Sequence, residues 1–438
     1  MNKKSILEKM GFAQLNSMQS KAYEAISQDN RDVILLSPTG TGKTLAYLLP
    51  LVEMLDMSSA ATQVLVIVPT RELAQQSAKF LDRMGTTIRS MACYGGRTAM
   101  EEHRVMRQTS PQVIFATPGR LLDHLDKSNL VVDTVRFLVI DEFDKCLEMG
   151  FHEEMTAIMN QLSFVHRRIL LSATQAMEMN YFVDESTALI LSHLSDQEEV
   201  SSRITVSVVL SETKDKLKTL YHLLCSLGTG SSIVFVGFRD SVNRITDYLN
   251  ERGFVAIGYH GGLEQKERDS AIYKFSNGSA NVLVSTDLAS RGLDIPIISN
   301  IIHYHLPESE DNYTHRVGRS ARWDATGHSM FILAPNESLP EYIHPEPQHL
   351  SVNMDEKTVP LPPMITVYVG KGKKDKISKG DIVGLFCKKG KLKSSEIGQI
   401  DIKERYSYIA VSREVAAQLL NNLAGEKIKG IKTVFELV

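Results

Sequence analysis

Two short tracts, each at the end of an apolar run, constrain this chain more than anything else in it. The first is Ser37-Pro38-Thr39-Gly40-Thr41-Gly42-Lys43-Thr44, which follows Asp32-Val33-Ile34-Leu35-Leu36; the second is Asp141-Glu142-Phe143-Asp144, which follows Phe137-Leu138-Val139-Ile140. Short apolar runs bounded by turn residues read as strands buried on both faces, as in parallel sheets, where ligands collect beyond the carboxyl ends of the strands. Two glycines in the first tract let backbone N–H groups turn onto a phosphate at a helix N-terminus, where Lys43 adds a positive charge and Thr44 a hydroxyl for Mg²⁺. The strict phosphate-loop pattern has glycine where Ser37 stands, so this loop is a variant of it. In the second tract Asp141 is suited to hold Mg²⁺ through water and Glu142 to orient or deprotonate an attacking water. An acidic tetrad alone is usually a solvated turn. Placed at a strand's carboxyl end and paired with a phosphate loop, it points to a chain that turns over a nucleoside triphosphate.

Apolar runs alternating with helix-length stretches continue along the chain, the signature of parallel α/β sheets. A first set of strands is expected at Val33 to Leu36, Val64 to Val68, Val113 to Ala116, Phe137 to Asp141 and Arg168 to Ser172. After the polar stretch Ser195 to Glu199 a second set is expected near Ile204 to Leu210, Ile233 to Val236, Val255 to Tyr259, Val282 to Ser285, Asn300 to Tyr304 and Met330 to Leu333. The proline-dotted segment Pro335 to Pro363 reads as a linker with little regular structure. Beyond it the pattern is β-α-β-β-α-β: Ile365 to Val369, Lys379 to Phe386, Ile397 to Ile402, Tyr408 to Val411, Arg413 to Leu423 and Thr433 to Val438. The boundaries that follow are a first α/β domain over 1–200, a second over 201–340, a linker over 341–363 and a small α+β domain over 364–438.

Further short tracts, in order and at matching spacing, resemble the DEAD-box RNA helicases of superfamily 2 from about Gly11 to Arg322. Gly11-Phe12 followed by Gln19 is similar to that family's Q motif, Pro69 to Ala74 to motif Ia, Gly95-Gly96 and Thr117-Pro118-Gly119-Arg120 to its GG and Ib elements, and Ser172-Ala173-Thr174 to motif III. In the second half, Ile233 to Val236 resembles motif IV, Gln265-Lys266-Glu267-Arg268 the QxxR element, Ser285 to Ile295 motif V, and His315 to Arg322 motif VI. The resemblance implies two tandem RecA-like domains that hydrolyse ATP with Mg²⁺ when they close on RNA. It implies that Phe12 stacks on the adenine and Gln19 reads its edge, and that Thr39, Gly40, Thr41, Gly42, Lys43 and Thr44 hold the phosphates. Thr44 and Asp141 serve the metal, and Glu142 the water. Gly292 and Asp294 belong to the nucleotide site, Asp294 at the ribose, while Arg319 and Arg322 act as arginine fingers. Asp144, Ser172 and Thr174 link nucleotide state to RNA grip. RNA backbone is touched by Thr70, Arg71, Gly96, Thr117 and Arg120 on one domain and by Gln265, Arg268 and Thr286 on the other. The helix beginning near Pro118 is similar to the wedge that bends one strand of a duplex.

Lys379 to Gly384, Ile397 to Ile400 and Gly425 to Gly430 resemble the C-terminal, RRM-like RNA-binding domain of the DbpA-type helicases, which implies a hairpin of large-subunit ribosomal RNA as ligand. The basic, aromatic central-strand motif of an RNA-recognition sheet is replaced here by Arg405 to Val411. Charge agrees with an RNA-binding tail: from Met364 onward 15 lysines and arginines face 8 acidic residues, about +7 in a chain whose net charge is −3. The lysines crowd at Lys371 to Lys379, at Lys388 to Lys393 and at Lys427 to Lys432, where they would attract a phosphate backbone.

With 438 residues, 43% hydrophobic and 23% charged, the chain suits about three globular domains. No apolar run approaches the roughly 20 residues that span a bilayer, and Met1 to Glu8 lack a long apolar stretch, so a cytoplasmic protein without membrane association is expected; it is taken as a monomer, although the sequence does not reveal its oligomeric state. Four scattered cysteines support neither a zinc site nor a disulfide framework, and His303-x-His305 reads as one face of a strand. Three positions depart from the helicase pattern. Phe143 replaces alanine, and its ring has to find space between the Mg²⁺ ligands and Ser172 to Thr174, with hydrolysis retained because Asp141, Glu142 and Asp144 survive. Ala321 stands for glycine and Ser290 for alanine. Two other readings compete with an ATP-dependent RNA helicase: a superfamily 2 DNA translocase, which DNA and not RNA would stimulate, and an RNA chaperone with a decayed motor, against which Lys43, Glu142, Arg319 and Arg322 argue.

Overall fold

A computed structural model describes residues 3–38, 40–96, 99–162, 165–175, 177–194, 204–290, 298–318, 327–344, 346–355 and 358–438. Among these residues the N-terminal part forms a seven-stranded parallel sheet from β1 (Val33–Leu36), β2 (Val64–Ile67), β3 (Ser90–Cys93), β4 (Val113–Ala116), β5 (Phe137–Ile140), β6 (Arg167–Ser172) and β7 (Leu189–Ser192), in the order β3-β4-β2-β5-β6-β1-β7. Successive residues of the central strands enter opposite cores: Val33, Leu35, Val64, Val66, Phe137 and Val139 enter one, Ile34, Leu36, Leu65, Ile67, Leu138 and Ile140 the other. At about 1.5–3 kcal/mol for each such side chain withdrawn from water, burial on both faces dictates the unbroken apolar runs. β3 and β7 are edge strands with only one face or neither fully covered, and each carries only three apolar residues in a row.

The second seven-stranded parallel sheet comprises β8 (Ile204–Leu210), β9 (Ser232–Val236), β10 (Ala256–Tyr259), β11 (Val282–Thr286), β12 (Asn300–His303), β13 (Gly327–Leu333) and β14 (Gln348–His349), in the order β10-β11-β9-β12-β13-β8-β14. Here the segment expected as a linker differs from expectation. Gln348 and His349 pair with Ser207 and Val208, the Leu350 N–H donates to the Val208 carbonyl at 2.8 Å, and Val352 and Val359 pack on the second core. Both residues of β14 are exposed, so backbone pairing alone defines the strand and no apolar pattern announces it.

The tail forms an antiparallel sheet, β16-β17-β15-β20, from β15 (Met364–Val369), β16 (Ile397–Ile402), β17 (Ser407–Ser412) and β20 (Phe435–Leu437), while β18 (Lys427–Ile428) and β19 (Ile431–Lys432) make a small separate ribbon. Val367, Val369, Ile409 and Val411 point to the core made with Ile382 and Phe386 of helix Lys379–Lys388 and with Leu419 and Leu423 of helix Ala416–Leu423. The opposite sheet face, with Thr366, Tyr408 and Ala410, is packed on the second helicase domain. The Tyr273 ring of helix Gln265–Ser276 stacks on Tyr408 with centroids 5.3 Å apart, and its hydroxyl donates to the carbonyls of Gln399 and Tyr408, each at 2.8 Å. Asn277 Nδ2 donates to Thr366 Oγ1 at 3.0 Å, and that hydroxyl donates to Ser279 Oγ at 2.9 Å. The tail and the second sheet are parts of one compact unit.

In that unit, His303 at the end of β12 is fully buried and stacked on Phe331, with centroids 4.1 Å apart. Its Nε2 lies 3.0 Å from Ser329 Oγ and its Nδ1 3.0 Å from Arg316 Nη1, while Arg316 forms a two-pronged ion pair with Asp287 at 2.5 and 2.7 Å. Burial first, and the guanidinium second, hold its pKa well below the ordinary imidazole value. The unfolded chain therefore binds a proton near pH 6.5 that the folded chain refuses, and stability is lost as pH falls through that value, by up to about 1.4 kcal/mol per pH unit for this residue. Urea titrations between pH 8 and 5 should show this slope, and His303→Gln should be less stable at pH 8 but lose less on acidification; equal slopes would remove His303 as the cause.

Candidate functional site

The carboxyl ends of β1, β5 and β6 converge because these strands are neighbours. Past β1, the Ser37 N–H continues the ladder by donating to the Ser172 carbonyl at 3.0 Å, and Ser37 Oγ lies 2.8 Å from Thr41 Oγ1, bracing the loop where the strict pattern has glycine. Gly40 (φ 84°) and Gly42 (φ 86°) take the left-handed backbone the turn needs, and Gly42 ends the loop at helix Lys43–Met54. Lys43 is buried with Nζ 2.6 Å from the Ser37 carbonyl, and Thr44 follows in the first turn. Gln19 is buried beneath this loop: its Oε1 accepts the Asn16 N–H at 3.1 Å and its Nε2 donates to the Gly42 carbonyl at 3.2 Å. Its amide is thus tied to the phosphate loop and to its own helix cap, with Asn16 Nδ2 adding a bond to the Thr41 carbonyl at 3.2 Å. Phe12 is half-buried against the first core.

Past β5, Asp141 is buried, and burial first, then the adjacent Glu142 charge, push its pKa up to about 7 while Lys43 pulls it down. Glu142 takes a left-handed backbone (φ 52°, ψ 52°), uncommon for a residue with a Cβ, and its Oε2 is buried with no hydrogen-bond partner. Two crowded carboxylates, one with an unfilled acceptor, make an oxygen-donor set that fits Mg²⁺ and its water shell. Phe143 is where the structure departs from expectation. Its ring does not lie between the expected Mg²⁺ ligands and Ser172 to Thr174 but fills the core beneath the sheet, edge-on to Phe182 at 5.2 Å, because the turn at Glu142 aims it inward.

Asp144 reaches the turn after β6: Oδ2 accepts the Ala173 N–H at 3.2 Å and the Thr174 hydroxyl at 3.3 Å, and the Thr174 N–H is 3.4 Å from Ser172 Oγ. Thr174 contacts Asp144 directly, and Ser172 only through Thr174. Thr39, Gly292, Asp294, Arg319 and Arg322 lie outside the described residues, as does Ala321.

On the first sheet the expected RNA contacts gather at neighbouring strand ends. Thr70 caps helix Arg71–Arg83 through a bond from the Leu73 N–H at 3.2 Å, and the Arg71 guanidinium lies against Gly95 and Gly96, so closely that a Cβ on Gly96 would be 2.7 Å from Arg71 Nη1. Thr117 stands at the N-cap position of helix Pro118–Asp126 without a side-chain capping bond, and from that helix Arg120 faces Glu102 at 3.4 Å. Glu102, buried, also lies 3.2 Å from His124 Nε2 and accepts the Tyr94 N–H at 3.2 Å. Neither Glu102 nor His124 was foreseen; an acid and an imidazole 22 positions apart carry no local signal. On the second sheet Gln265 donates to Asp269 at 2.9 Å, Arg268 bonds the Tyr259 hydroxyl at 3.3 Å and lies over its ring, and Thr286 ends β11.

A phosphate loop, a buried acidic turn and a Ser-Ala-Thr turn on adjacent strands, followed by a second parallel sheet, define a helicase of superfamily 2. The sequence matches the DEAD/DEAH box helicase family over 16–181, the helicase conserved C-terminal domain over 215–324 and the DbpA RNA binding domain over 366–437. It is 33% identical to the ATP-dependent RNA helicase DbpA of Escherichia coli K12, across 97% of this chain and 94% of that one. It is 34% identical to the DEAD-box ATP-dependent RNA helicase CshA of Geobacillus kaustophilus, across 76% of this chain and 71% of the other. Among solved structures it resembles S. cerevisiae Dbp5 bound to RNA and ADP BeF3, with a TM-score of 0.68 at 27% identity over 76% of this chain and 88% of that one. The chain belongs to the DEAD-box ATP-dependent RNA helicases of the DbpA type, and its activity is RNA-stimulated ATP hydrolysis.

Glu142→Gln keeps the shape of the side chain and removes a carboxylate able to take a proton from water, so turnover should fall by at least about 10²-fold while ATP and RNA still bind. Steady-state ATPase and nucleotide titration separate the two effects, and a variant with wild-type turnover would contradict the role. Lys43→Ala should instead weaken ATP binding itself.

Proposed function

We propose that this chain remodels structured RNA of the large ribosomal subunit in the cytoplasm as a monomer, using ATP to close its two helicase domains on the strand it displaces. Lys43 and the loop N–H groups take the β- and γ-phosphates, Thr44 and Asp141 serve Mg²⁺, which supplies charge neutralisation at the phosphates when bound, and Glu142 orients the attacking water. Phe12 and Gln19 recognise adenine, and the bond of Gln19 to the Gly42 carbonyl offers a direct route from base occupancy to loop geometry. Gly292 and Asp294 complete the nucleotide site. Arg319 and Arg322 contribute their charge to the transferring phosphoryl group only on closure. Asp144, with Thr174 and Ser172, transmits that state to Thr70, Arg71, Gly96, Thr117 and Arg120, and the other grip is Gln265, Arg268 and Thr286. Among the described residues no helix is long and apolar enough to cross a membrane.

The observation that carries the ribosomal part is the division of the tail's surface. Its sheet face is packed on the second domain, whereas Lys373, Lys374, Lys376, Lys388, Lys389, Lys391 and Lys393 are exposed. Lysines on a backbone-reading surface hold phosphates in a structured RNA without stacking on bases. Replacing Lys388, Lys389, Lys391 and Lys393 together by Glu should lower affinity for a large-subunit ribosomal hairpin at least about tenfold and flatten its salt dependence, while unstructured RNA at saturating concentration still stimulates the ATPase. Unchanged hairpin affinity would leave these lysines as a solvated face. Substitution in the whole chain is preferable to truncation at Pro335, which would strip β14 and uncover Tyr273.

A further inference from the structure

Phe238 is the one phenylalanine among the described residues whose side chain is largely exposed, at 70%. Its place in the fold is fixed by parallel register. Val236 of β9 pairs with Thr286 of β11 on one side, and Phe235 pairs with His303 of β12 on the other, so Phe238 emerges two residues beyond the level of Thr286, with His305 beside it. His305 supports it: its Nδ1 accepts the Gly237 N–H at 2.9 Å, and the two rings meet edge to face at 6.1 Å. Burial holds the imidazole pKa below its ordinary value, so the support is an uncharged ring at neutral pH.

The next residue, Arg239, is exposed and extends over the turn that follows β10, where a Cβ on Gly261 would lie 3.5 Å from its Nη2 and one on Gly262 3.7 Å from its Cδ. That turn leads directly into the helix bearing Gln265 and Arg268. One strip of sheet edge therefore presents an aromatic face, two cationic side chains, two exposed glycines and a threonine. Exposing a phenylalanine to water here gains nothing for the fold, since its ring enters no core cluster. Aromatic rings beside a cationic, glycine-lined track are what single-stranded nucleic acid uses for stacking.

We propose that Phe238 stacks on a base of the single-stranded RNA held along this edge, giving the second helicase domain a base-directed contact beside its backbone grip. This rests on the reading of Gln265, Arg268 and Thr286 as the RNA-binding edge. Because stacking grows with ring area, the contact favours a purine at one position of the strand. The flanking Arg239 and Thr286 hold the phosphates on either side of that nucleotide.

The test uses the full chain saturated with a non-hydrolysable ATP analogue and single-stranded RNA about ten nucleotides long, carrying either 2-aminopurine or an abasic residue at successive positions. Stacking on the wild type should change 2-aminopurine fluorescence sharply at one position and not its neighbours, and an abasic residue there should weaken binding on the order of tenfold. Phe238→Ala should lose the fluorescence change and bind intact and abasic RNA equally weakly, while Phe238→Trp restores both preferences. Arg268→Ala should weaken all these RNAs alike. If Phe238→Ala binds as the wild type does while Arg268→Ala is impaired, stacking is overturned and the edge assignment stands; if neither variant is impaired, both fall.

Discussion

Parallel pairing of three neighbouring strands, β5, β6 and β1, is the constraint on which the nucleotide site depends. It sets the acidic turn, the Ser-Ala-Thr turn and the phosphate loop side by side, and the bond from the Ser37 N–H to the Ser172 carbonyl carries the ladder into the loop itself. Register cannot slip, because alternate residues of these strands supply two different cores, and a shift of one position would exchange every side chain between them. The contact of Asp144 with Ala173 and Thr174 is inherited from that register. No local device is needed to aim it.

The same site carries local costs that the scaffold sustains. Glu142 holds a left-handed backbone, Asp141 is a buried carboxylate beside another, and the Lys43 ammonium is turned onto the Ser37 carbonyl. Each is a group whose demand a triphosphate with its metal would meet better: cation for the carboxylates, phosphate oxygen for the ammonium. Phe143 helps sustain this arrangement. Buried against Phe182, it anchors the helix Phe143–Glu148 that follows the strained turn, so a residue unusual at this position strengthens the platform without entering the site.

The central strands were legible because residues covered on both faces must be apolar, and four in a row leave little ambiguity. β3, β7 and β14 were not, since strands with one or both faces in water obey weaker rules and β14 has no apolar residue at all. Candidate site residues in contiguous tracts, such as Lys43 to Thr44 and Asp141 to Asp144, lie together in the chain as they do in the fold. Those that meet only through the fold could not. Glu102 with Arg120 and His124, Asp287 with Arg316, and Tyr273 with Tyr408 join side chains separated by 18 to 135 positions, and nothing near either member in sequence names its partner. Gln19 lies between these cases: its position was legible, whereas its bonds to Asn16 and Gly42 depend on how its helix packs under the loop.

Helix Gln265–Ser276 joins two surfaces that the sequence had suggested were separate. Its first turns carry Gln265 and Arg268, and its last carries Tyr273, about 8 Å further along the axis at 1.5 Å per residue. Tyr273, Asn277 and Ser279 fasten the face of the tail sheet that a free RNA-recognition domain would offer to bases, so that surface serves protein contact here, and the fold alone would have misassigned it. A helix this short does not bend appreciably between its ends. The lysine-bearing surface of the tail is consequently held at a set orientation to Gln265 and Arg268, so that under the function proposed above an RNA engaged by one would meet the other along a defined path, without the entropy cost that a flexible tether would add.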